Sequence, residues 1–378
     1  MGITYWIHSQ SRMEIVVDPA SLSLLSTSSY PLISVIVPAR NEARNIRRCI
    51  QALLAQDYPN FEVIAVDDRS TDDTPRILEE LLATHGNAQD RLRVLHTPEL
   101  PPGWAGKPHA LVKGAAAAQG EWLCFIDADT FAAPGLLSAT YATAHKQSAD
   151  LFTILTRQEL GSFWEKTILP LVFTALSFGF PANRVNDPRK PDAIANGQFI
   201  LIQRLVYEKL GGHGAVRGRI DEDKALAELV KRAGYRLVVA DGHRVASTRM
   251  YTALSEIWEG WTKNIYLGLR DRLWLLLLGA VVGLLGALLL PFWLLGGLFW
   301  FATGGGSGAA LVAAQSLIVW GYLVVQRWRA SQAMGISPLY AFTLPLGALL
   351  FTAMMIVSAF NVLSGKGVTW KGRIYSGS

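Results

Sequence analysis

Cysteine is nearly absent from this 378-residue chain, which has only Cys49 and Cys124. Two cysteines cannot build a disulfide framework or a Cys-rich zinc centre, so a small secreted scaffold is excluded. Both sit among apolar neighbours and are expected to be reduced core residues. Charge is also scarce, at 17% of residues against 51% hydrophobic, which excludes an intrinsically disordered chain. Carboxylates are missing altogether beyond Arg272. The charged residues after that point are Arg327, Arg329, Lys366, Lys371 and Arg373, and they account for the whole net charge of +5. A soluble domain does not run so far without an acid, so a soluble domain followed by a membrane domain is expected. No G-x-G-x-x-G follows a strand pattern and no GxxxxGK[ST] occurs, which removes the main support for dinucleotide oxidoreductases and P-loop NTPases. Residues 1–30 lack the run of 7–15 apolar residues that a signal peptide requires. They are expected to be a poorly ordered lead-in, with the large domain in the cytoplasm. The basic residues of the first 272 positions are balanced by acids and scattered, which speaks against nucleic-acid binding.

What is present from residue 31 onwards is α/β patterning. "LISVIVPA" is a short β-branched run typical of a parallel strand buried on both faces. "NEARNIRRCIQALLAQDYP" then places Ile46, Ile50, Leu53 and Leu54 at helical spacing. "FEVIAVDD", "LRVLHT" and "EWLCFIDAD" read as further strands. Between them lie "STDDTPRILEELLATHG", with Ser70 as cap and Gly86 as stop, and "KPHALVKGAAAAQG". Strand and helix alternate four times, so a doubly wound, mostly parallel sheet is expected over 31–250. Later, "SFWEKTILPLVFTALSFGFP" is too short to span a bilayer and suits a buried or interfacial helix. "IDEDKALAELVKRAG" is an amphipathic helix closed by Gly234. Over 251–272, Ile257, Trp258, Trp261, Ile265 and Leu269 share a stripe beside Lys263, Arg270 and Arg272, the pattern of an interfacial amphipathic helix. Apolar blocks at 273–303, 309–326 and 339–363 predict three or four membrane helices, the first block being broken by Pro291. The tail at 364–378 is basic. Flanking charges favour a hairpin in the first block by three cations to two.

Acids cluster where an open α/β sheet binds ligands, beyond the carboxyl ends of its strands. Asp67 and Asp68 end the second strand, and Asp127 and Asp129 end the fourth. Each alone could be a turn former. Together they repel unless a cation or a hydrogen-bonding ligand compensates, and an Asp-x-Asp turn presents oxygen to a hard divalent ion that also binds phosphate.

The blocks "SVIVPARNEARNI", "VIAVDDRSTDDT", "GWAGKPHALVKGAAAAQGEWLCFIDADT", "ANGQFILIQRLVYEKLGGH" and "IDEDKALAELVKRAGYR" resemble, in order and spacing, those of family 2 glycosyltransferases with the GT-A fold. "TRMYTALSEIWEGWTKN" and "GVTWKGRIY" resemble the bacterial subgroup that glycosylates membrane lipids, which includes carotenoid (chlorobactene and myxol), hopene-associated and, more distantly, ceramide glycosyltransferases. The resemblance implies a nucleotide-sugar donor (UDP- or GDP-linked), a membrane lipid acceptor in the bilayer, and Mg²⁺ or Mn²⁺. It implies a multi-pass inner-membrane protein that transfers one sugar with inversion. Pro38, Arg40 and Glu42 would form the first nucleotide-facing loop, Asp68 would accept from the base, and Lys107 would contact the diphosphate. Asp127 and Asp129 would hold the metal, with Asp129 the direct ligand. Asn196, Gly197 and Gln198 would line the sugar and acceptor side. Glu222 and Asp223 match the pair whose Asp is the catalytic base. Processive members and ceramide glucosyltransferases carry Gln/Arg-x-x-Arg-Trp where this chain has "EIWEGW", with Gly260 before Trp261. Competing readings are a polyprenyl-phosphate or polysaccharide glycosyltransferase and an inactive nucleotide-sugar-binding scaffold. A transporter is disfavoured, because the apolar blocks carry no ionisable residue in their interiors.

Overall fold

The computed structural model describes residues 15–18, 30–89, 91–179, 181–269, 273–283, 285, 289–370 and 373–375. Most of the expected lead-in, Arg270, Arg272 and Lys371 lie outside them. The chain divides into two compact units: one runs to Glu159 and resumes over Ser177–Met250, and the other comprises Leu160–Leu176 and the chain from Tyr251.

The first unit opens with β1 (Ile33–Ala39), α1 (Ile46–Leu54), β2 (Phe61–Asp67), α2 (Thr74–Gln89), β3 (Leu92–His96), α3 (Gly106–Ala117) and β4 (Trp122–Phe125). There follow β5 (Thr130–Ala132), α4 (Leu136–Lys146), β6 (Leu151–Leu155), β7 (Arg157–Gln158) and, after the segment of the second unit, α6 (Ala182–Asn186). The unit closes with β8 (Ile200–Gln203), α7 (Arg204–Lys209), α8 (Glu222–Arg232), β9 (Leu237–Asp241) and β10 (Ala246–Thr248). Seven strands form one sheet in the order β3-β2-β1-β4-β8-β6-β9. All neighbours pair in parallel except β8, which is antiparallel to β4 and β6. The expected doubly wound, mostly parallel sheet is therefore the sheet observed.

Side-chain alternation explains why the strand sequences are mostly apolar. In β1 and β2 the buried polar residues Ser34 and Glu62 satisfy each other, Ser34 Oγ donating to Glu62 Oε1 at 2.6 Å. Val35 and Val37 of β1 face one core with Ile46, Ile50, Leu78 and Leu136, whereas Ile36 faces another with Leu111, Val206 and Leu226. A strand covered by helices on both faces buries every residue, which removes the polar half of the usual period. Small residues let the layers close: a Cβ on Gly114 of α3 would lie 2.4 Å from the Ile36 side chain.

Three local expectations are corrected. Helix α2 begins at Thr74, whose N–H is accepted by Asp72 Oδ1 at 2.9 Å. Ser70 is no cap; its hydroxyl accepts from Asn41 N at 3.0 Å. The helix also runs through Gly86 to Gln89. Residues 15–18, expected to be loose, instead dock on the sheet: Asp241 N donates to Ile15 O and Val17 N to Asp241 O, and Val17 is fully buried.

The second unit contains α5 (Phe163–Gly179), α9 (Leu254–Leu269), α10 (Leu273–Gly283), α11 (Leu290–Ala302), α12 (Gly306–Ala333) and α13 (Leu344–Ser364), followed by the hairpin β11 (Val368–Trp370) and β12 (Arg373–Tyr375). Helix α5 starts in a capping box: Glu165 N donates to Ser162 Oγ, and the Glu165 carboxylate accepts from Ser162 N and Gly161 N. Pro291 lies in the first turn of α11 and so starts that helix. Gly297 of α11 lies against Ala313 of α12, where a Cβ would stand 2.9 Å from the Ala313 nitrogen. Among the described residues two helical stretches, Gly306–Ala333 and Pro338–Ser364, are long and apolar enough to cross a membrane; α11 is apolar but shorter. Trp261 was expected on a membrane-facing stripe. It is 5% exposed and packs edge-on against Phe173 of α5, so protein covers it. Gly260 has its own reason: a Cβ there would lie 2.3 Å from the Tyr251 ring, and an arginine has no room.

Candidate active site

The site is built at the carboxyl ends of β1, β2 and β4 in the first unit. Beyond β4 the chain turns back at once: Thr130 N donates to Asp127 O at 3.0 Å, and β5 begins. That turn presents the Asp127 and Asp129 carboxylates close behind the strand end. Cys49 Sγ lies 3.9 Å from the Asp127 carbonyl, and burial raises the pKa of its thiol, with the charges of Asp129, Glu42 and Asp127 raising it further.

Lys107, in the first turn of α3, is the cation of this cluster. Its Nζ lies 2.6 Å from Asp127 Oδ1 and 2.8 Å from Glu222 Oε1. Burial disfavours its ammonium, but the fields of Asp127, Glu222 and Asp223 outweigh that and hold its pKa well above the ordinary value. Helix α8 brings Glu222 and Asp223 in on its first turn. Burial pushes the Glu222 carboxyl up to about 7, against the opposing charge of Lys107. Burial also raises Asp223, while Lys107 and two backbone N–H groups oppose the rise. Those two donors are Gly197 N to Oδ2 at 3.0 Å and Lys224 N to Oδ1 at 2.7 Å. They fix the carboxylate plane and leave it further acceptor capacity.

Gly197 is where these groups converge. A Cβ on it would stand 2.9 Å from Lys107 Nζ, 3.2 Å from Asp223 Oδ2 and 3.4 Å from Asp127 Oδ2. One cavity is lined by Pro38, Lys107, Asp127, Gly197, Glu222 and Asp223. Six of the sequence-derived site residues are thus brought together. Asn196 and Gln198 stand beside them with their side chains engaged inside the protein. Asn196 Nδ2 donates to Ile154 O and to Gln198 Oε1, which also accepts from Thr156 and Gln158.

Arg40, Glu42 and Asp68 lie in the adjoining loops after β1 and β2, which are stitched together. Arg40 Nη1 donates to the carbonyls of Asp68 (2.9 Å) and Arg69 (3.3 Å), Glu42 N to Thr74 Oγ1 and Ala43 N to Asp72 Oδ2. Asp68 is buried, with Oδ1 accepting from Arg69 and from Thr97 Oγ1.

Among the lining residues that the sequence did not single out, His213 is the polar one. His213 sits under the cluster, fully buried, with Nδ1 3.1 Å from the Tyr207 hydroxyl. Burial, with Lys107 adding to it, pushes its pKa down to about 3, so the ring is neutral. Its signal was the double glycine before it. Gly211 and Gly212 both take positive φ, and a Cβ on Gly212 would strike the Tyr207 ring at 2.3 Å.

A divalent ion suits the donor set at the Asp127–Asp129 turn, which is carboxylate oxygen alone. Among the described residues no group of three His, Cys, Asp or Glu could hold a metal by itself. The remaining positions of such an ion would fall to water and phosphate oxygens.

Comparison with known proteins follows the same outline. Residues 34–211 match the model of glycosyl transferase family 2. The chain is 25% identical over 269 residues to the 4,4'-diaponeurosporenoate glycosyltransferase of Staphylococcus aureus strain USA300, covering 68% of this chain and 69% of that protein. The same identity and coverage hold for the protein of that name from strain MRSA252. Among solved structures, a mannosyltransferase from Pyrobaculum calidifontis in complex with GDP-Man and Mn²⁺ superposes with a TM-score of 0.51 at 21% identity, over 96% of this chain and 94% of that one.

Proposed function

Because residues 34–211 are a family 2 glycosyltransferase domain on a GT-A scaffold, and the chain is therefore a glycosyltransferase, we propose that it transfers one sugar, with inversion, from a nucleotide-diphosphate sugar to a membrane lipid. The observation that carries this reading is the convergence of Asp127, Lys107 and Asp223 on Gly197 at the end of β4. An inverting transfer needs a carboxylate that takes the acceptor proton on one side of the sugar and positive charge at the leaving diphosphate on the other. Asp223, held by the Gly197 and Lys224 N–H groups and raised by burial, is the base. Lys107 supplies positive charge toward the diphosphate. Asp127 and Asp129 would hold Mg²⁺ or Mn²⁺, which neutralises leaving-group charge when bound. Glu222 keeps Lys107 in place through its 2.8 Å contact.

The acceptor assignment rests on the second unit. Phe292, Trp293, Phe299, Leu311, Ile318 and Phe360 are each more than half exposed, a density of bare apolar side chains that suits lipid contact. The name of the relatives supports an acceptor of the carotenoid class. Multi-pass anchoring in the inner membrane, with the catalytic unit on the cytoplasmic side, completes the reading.

The test uses the full chain in lipid nanodiscs with radiolabelled UDP- and GDP-sugars. Label should pass into the organic extract, stop with a chelator and return with Mg²⁺ or Mn²⁺. Label found only as free sugar, or unchanged lipid labelling after exhaustive chelation, would reject the acceptor or the metal respectively.

A further inference from the structure

Arg69 is the residue of the site whose backbone needs explaining. It follows Asp68 on the loop after β2 and takes φ +57°, the left-handed region that glycine adopts freely and L side chains avoid. The surroundings impose this turn. Asp68 N donates to Ala39 O at 2.7 Å, Ser70 N to Asp67 Oδ1 at 3.1 Å, and Arg40 grips the carbonyls on both sides of Arg69. Glycine would serve the turn without strain, so the reason for arginine must lie in its side chain.

The guanidinium folds back on Asp68, its Nε 2.9 Å from Oδ1 and its Nη2 on the same oxygen. The Arg69 side chain remains a quarter exposed, whereas that of Asp68 is 4% exposed. The pair therefore sets a nearly buried carboxylate directly beside the donors of a planar fork that remains partly exposed. It stands at the carboxyl ends of β1, β2 and β3, on the edge of the sheet where a doubly wound fold binds ligands. A second group points the same way. His109 of α3 is 4% exposed, and its Nδ1 has no hydrogen-bond partner among the described residues. Burial lowers the pKa of this ring, and the charges of Lys113, Asp68 and Arg69 also act on it.

We propose that Arg69 is a base-reading residue: with Asp68 it binds the edge of the donor's nucleobase, Asp68 accepting a ring N–H or amino N–H and the Arg69 fork donating to the neighbouring acceptor atom. This rests on the nucleotide-sugar reading above and deepens it, since it assigns base discrimination to a residue two positions past the strand end. Arg69 touches no reacting atom, so its loss acts on donor recognition and leaves the chemical step alone.

The test compares wild type, Arg69→Gly and Arg69→Lys, as full chains in nanodiscs, by calorimetric binding of UDP, GDP, CDP and ADP. Glycine relaxes the turn but takes the cation from the buried Asp68 carboxylate, so the thermal midpoint of Arg69→Gly is measured alongside, and Arg69→Lys, which keeps a charge there, is the second variant. In wild type one of the four diphosphates should bind at least about tenfold tighter than the weakest, the scale of a hydrogen bond to a charged group. In Arg69→Gly the four affinities should converge to within about threefold. Lysine keeps the charge but not the fork and should also lose discrimination. If either folded variant keeps the wild-type ratios, Arg69 does not read the base and the proposal falls. Should wild type bind none of the four, the nucleotide-sugar reading fails first.

Discussion

At the scale of single residues the site is a matter of charge balance in a small space. Asp127, Glu222 and Asp223 share one ammonium, that of Lys107. Removing basicity at Asp223 while keeping its shape separates binding from chemistry. Asp223→Asn should cut kcat by about 10²–10⁴-fold, the usual yield of a general base, with donor affinity nearly unchanged. Single-turnover rates and equilibrium donor binding on the same preparation check both halves. If the variant loses donor binding instead, Asp223 belongs to the nucleotide site. Gly197 is sensitive for a steric reason. In Gly197→Ala the new methyl would lie 2.9 Å from Lys107 Nζ, so the ammonium must withdraw from its carboxylates. The lysine stem can yield, so the thermal midpoint should fall little while kcat falls at least tenfold. Equal activity with an intact fold would show that Lys107 need not sit where the structure places it.

At the scale of elements, two joints carry testable load. The first ties α2 to β2. His96 lies between Glu79 (2.9 Å) and Asp67 (3.2 Å), and the hydrogen bond to Glu79, with Asp67 adding to it, raises its pKa above 6.5. A histidine raised by folding stabilises fully below its unfolded pKa of about 6.5 and loses that contribution as pH climbs through the folded value. The gap in thermal midpoint between wild type and His96→Gln should therefore be larger at pH 5.5 than at pH 8.5, and modest, because the ring is half exposed. A gap that widens with pH would reverse the assignment. The second joint is in the helical unit. Pro170 has no N–H to give the Lys166 carbonyl four residues back, and Arg327 of α12 donates to that carbonyl instead, at 2.5 Å. Arg327 is 4% exposed, and no carboxylate among the described residues pairs with it. Arg327→Met leaves a buried carbonyl unsatisfied, which costs about 1–3 kcal/mol. Adding Pro170→Ala returns the missing donor, so the double variant should regain part of the lost midpoint in detergent. Strict additivity of the two changes would mean that the arginine is not answering the proline.

Over the whole molecule, what the sequence reveals follows the range of the forces involved. The parallel strands were readable because burial on both faces leaves unbroken apolar runs, as in Val63–Val66. The acids at their ends were readable because strand ends in such sheets are where ligands bind. What stayed hidden depends on partners far along the chain. Nothing near Trp261 says that Phe173 covers it, nothing near Pro170 names Arg327, and Ser70 loses the cap of α2 to Asp72 because Asn41 claims its hydroxyl. The second unit takes in Leu160–Leu176, although sequence order puts that segment inside the catalytic region. This matters for any attempt to free the catalytic domain by cutting after Arg272. Such a fragment retains α5 but loses α12 and α13, which contribute Arg327 at Lys166 and Gly347 against Thr167 and Leu171. It also loses Ser358 of α13, which donates to Thr262 of α9 at 2.9 Å. Ile168, Leu169, Val172, Ile257 and Ile265 are all buried in the full chain. At about 1.5–3 kcal/mol for each large apolar side chain returned to water, baring even a few of them approaches the whole stability of an ordinary domain. The 1–272 fragment should therefore elute as an aggregate in aqueous buffer and become monodisperse only in detergent. A monomeric, detergent-free fragment with a cooperative thermal transition would mean that α5 and α9 bury their apolar faces without α12 and α13, and that the catalytic unit is independent of the membrane helices for its folding.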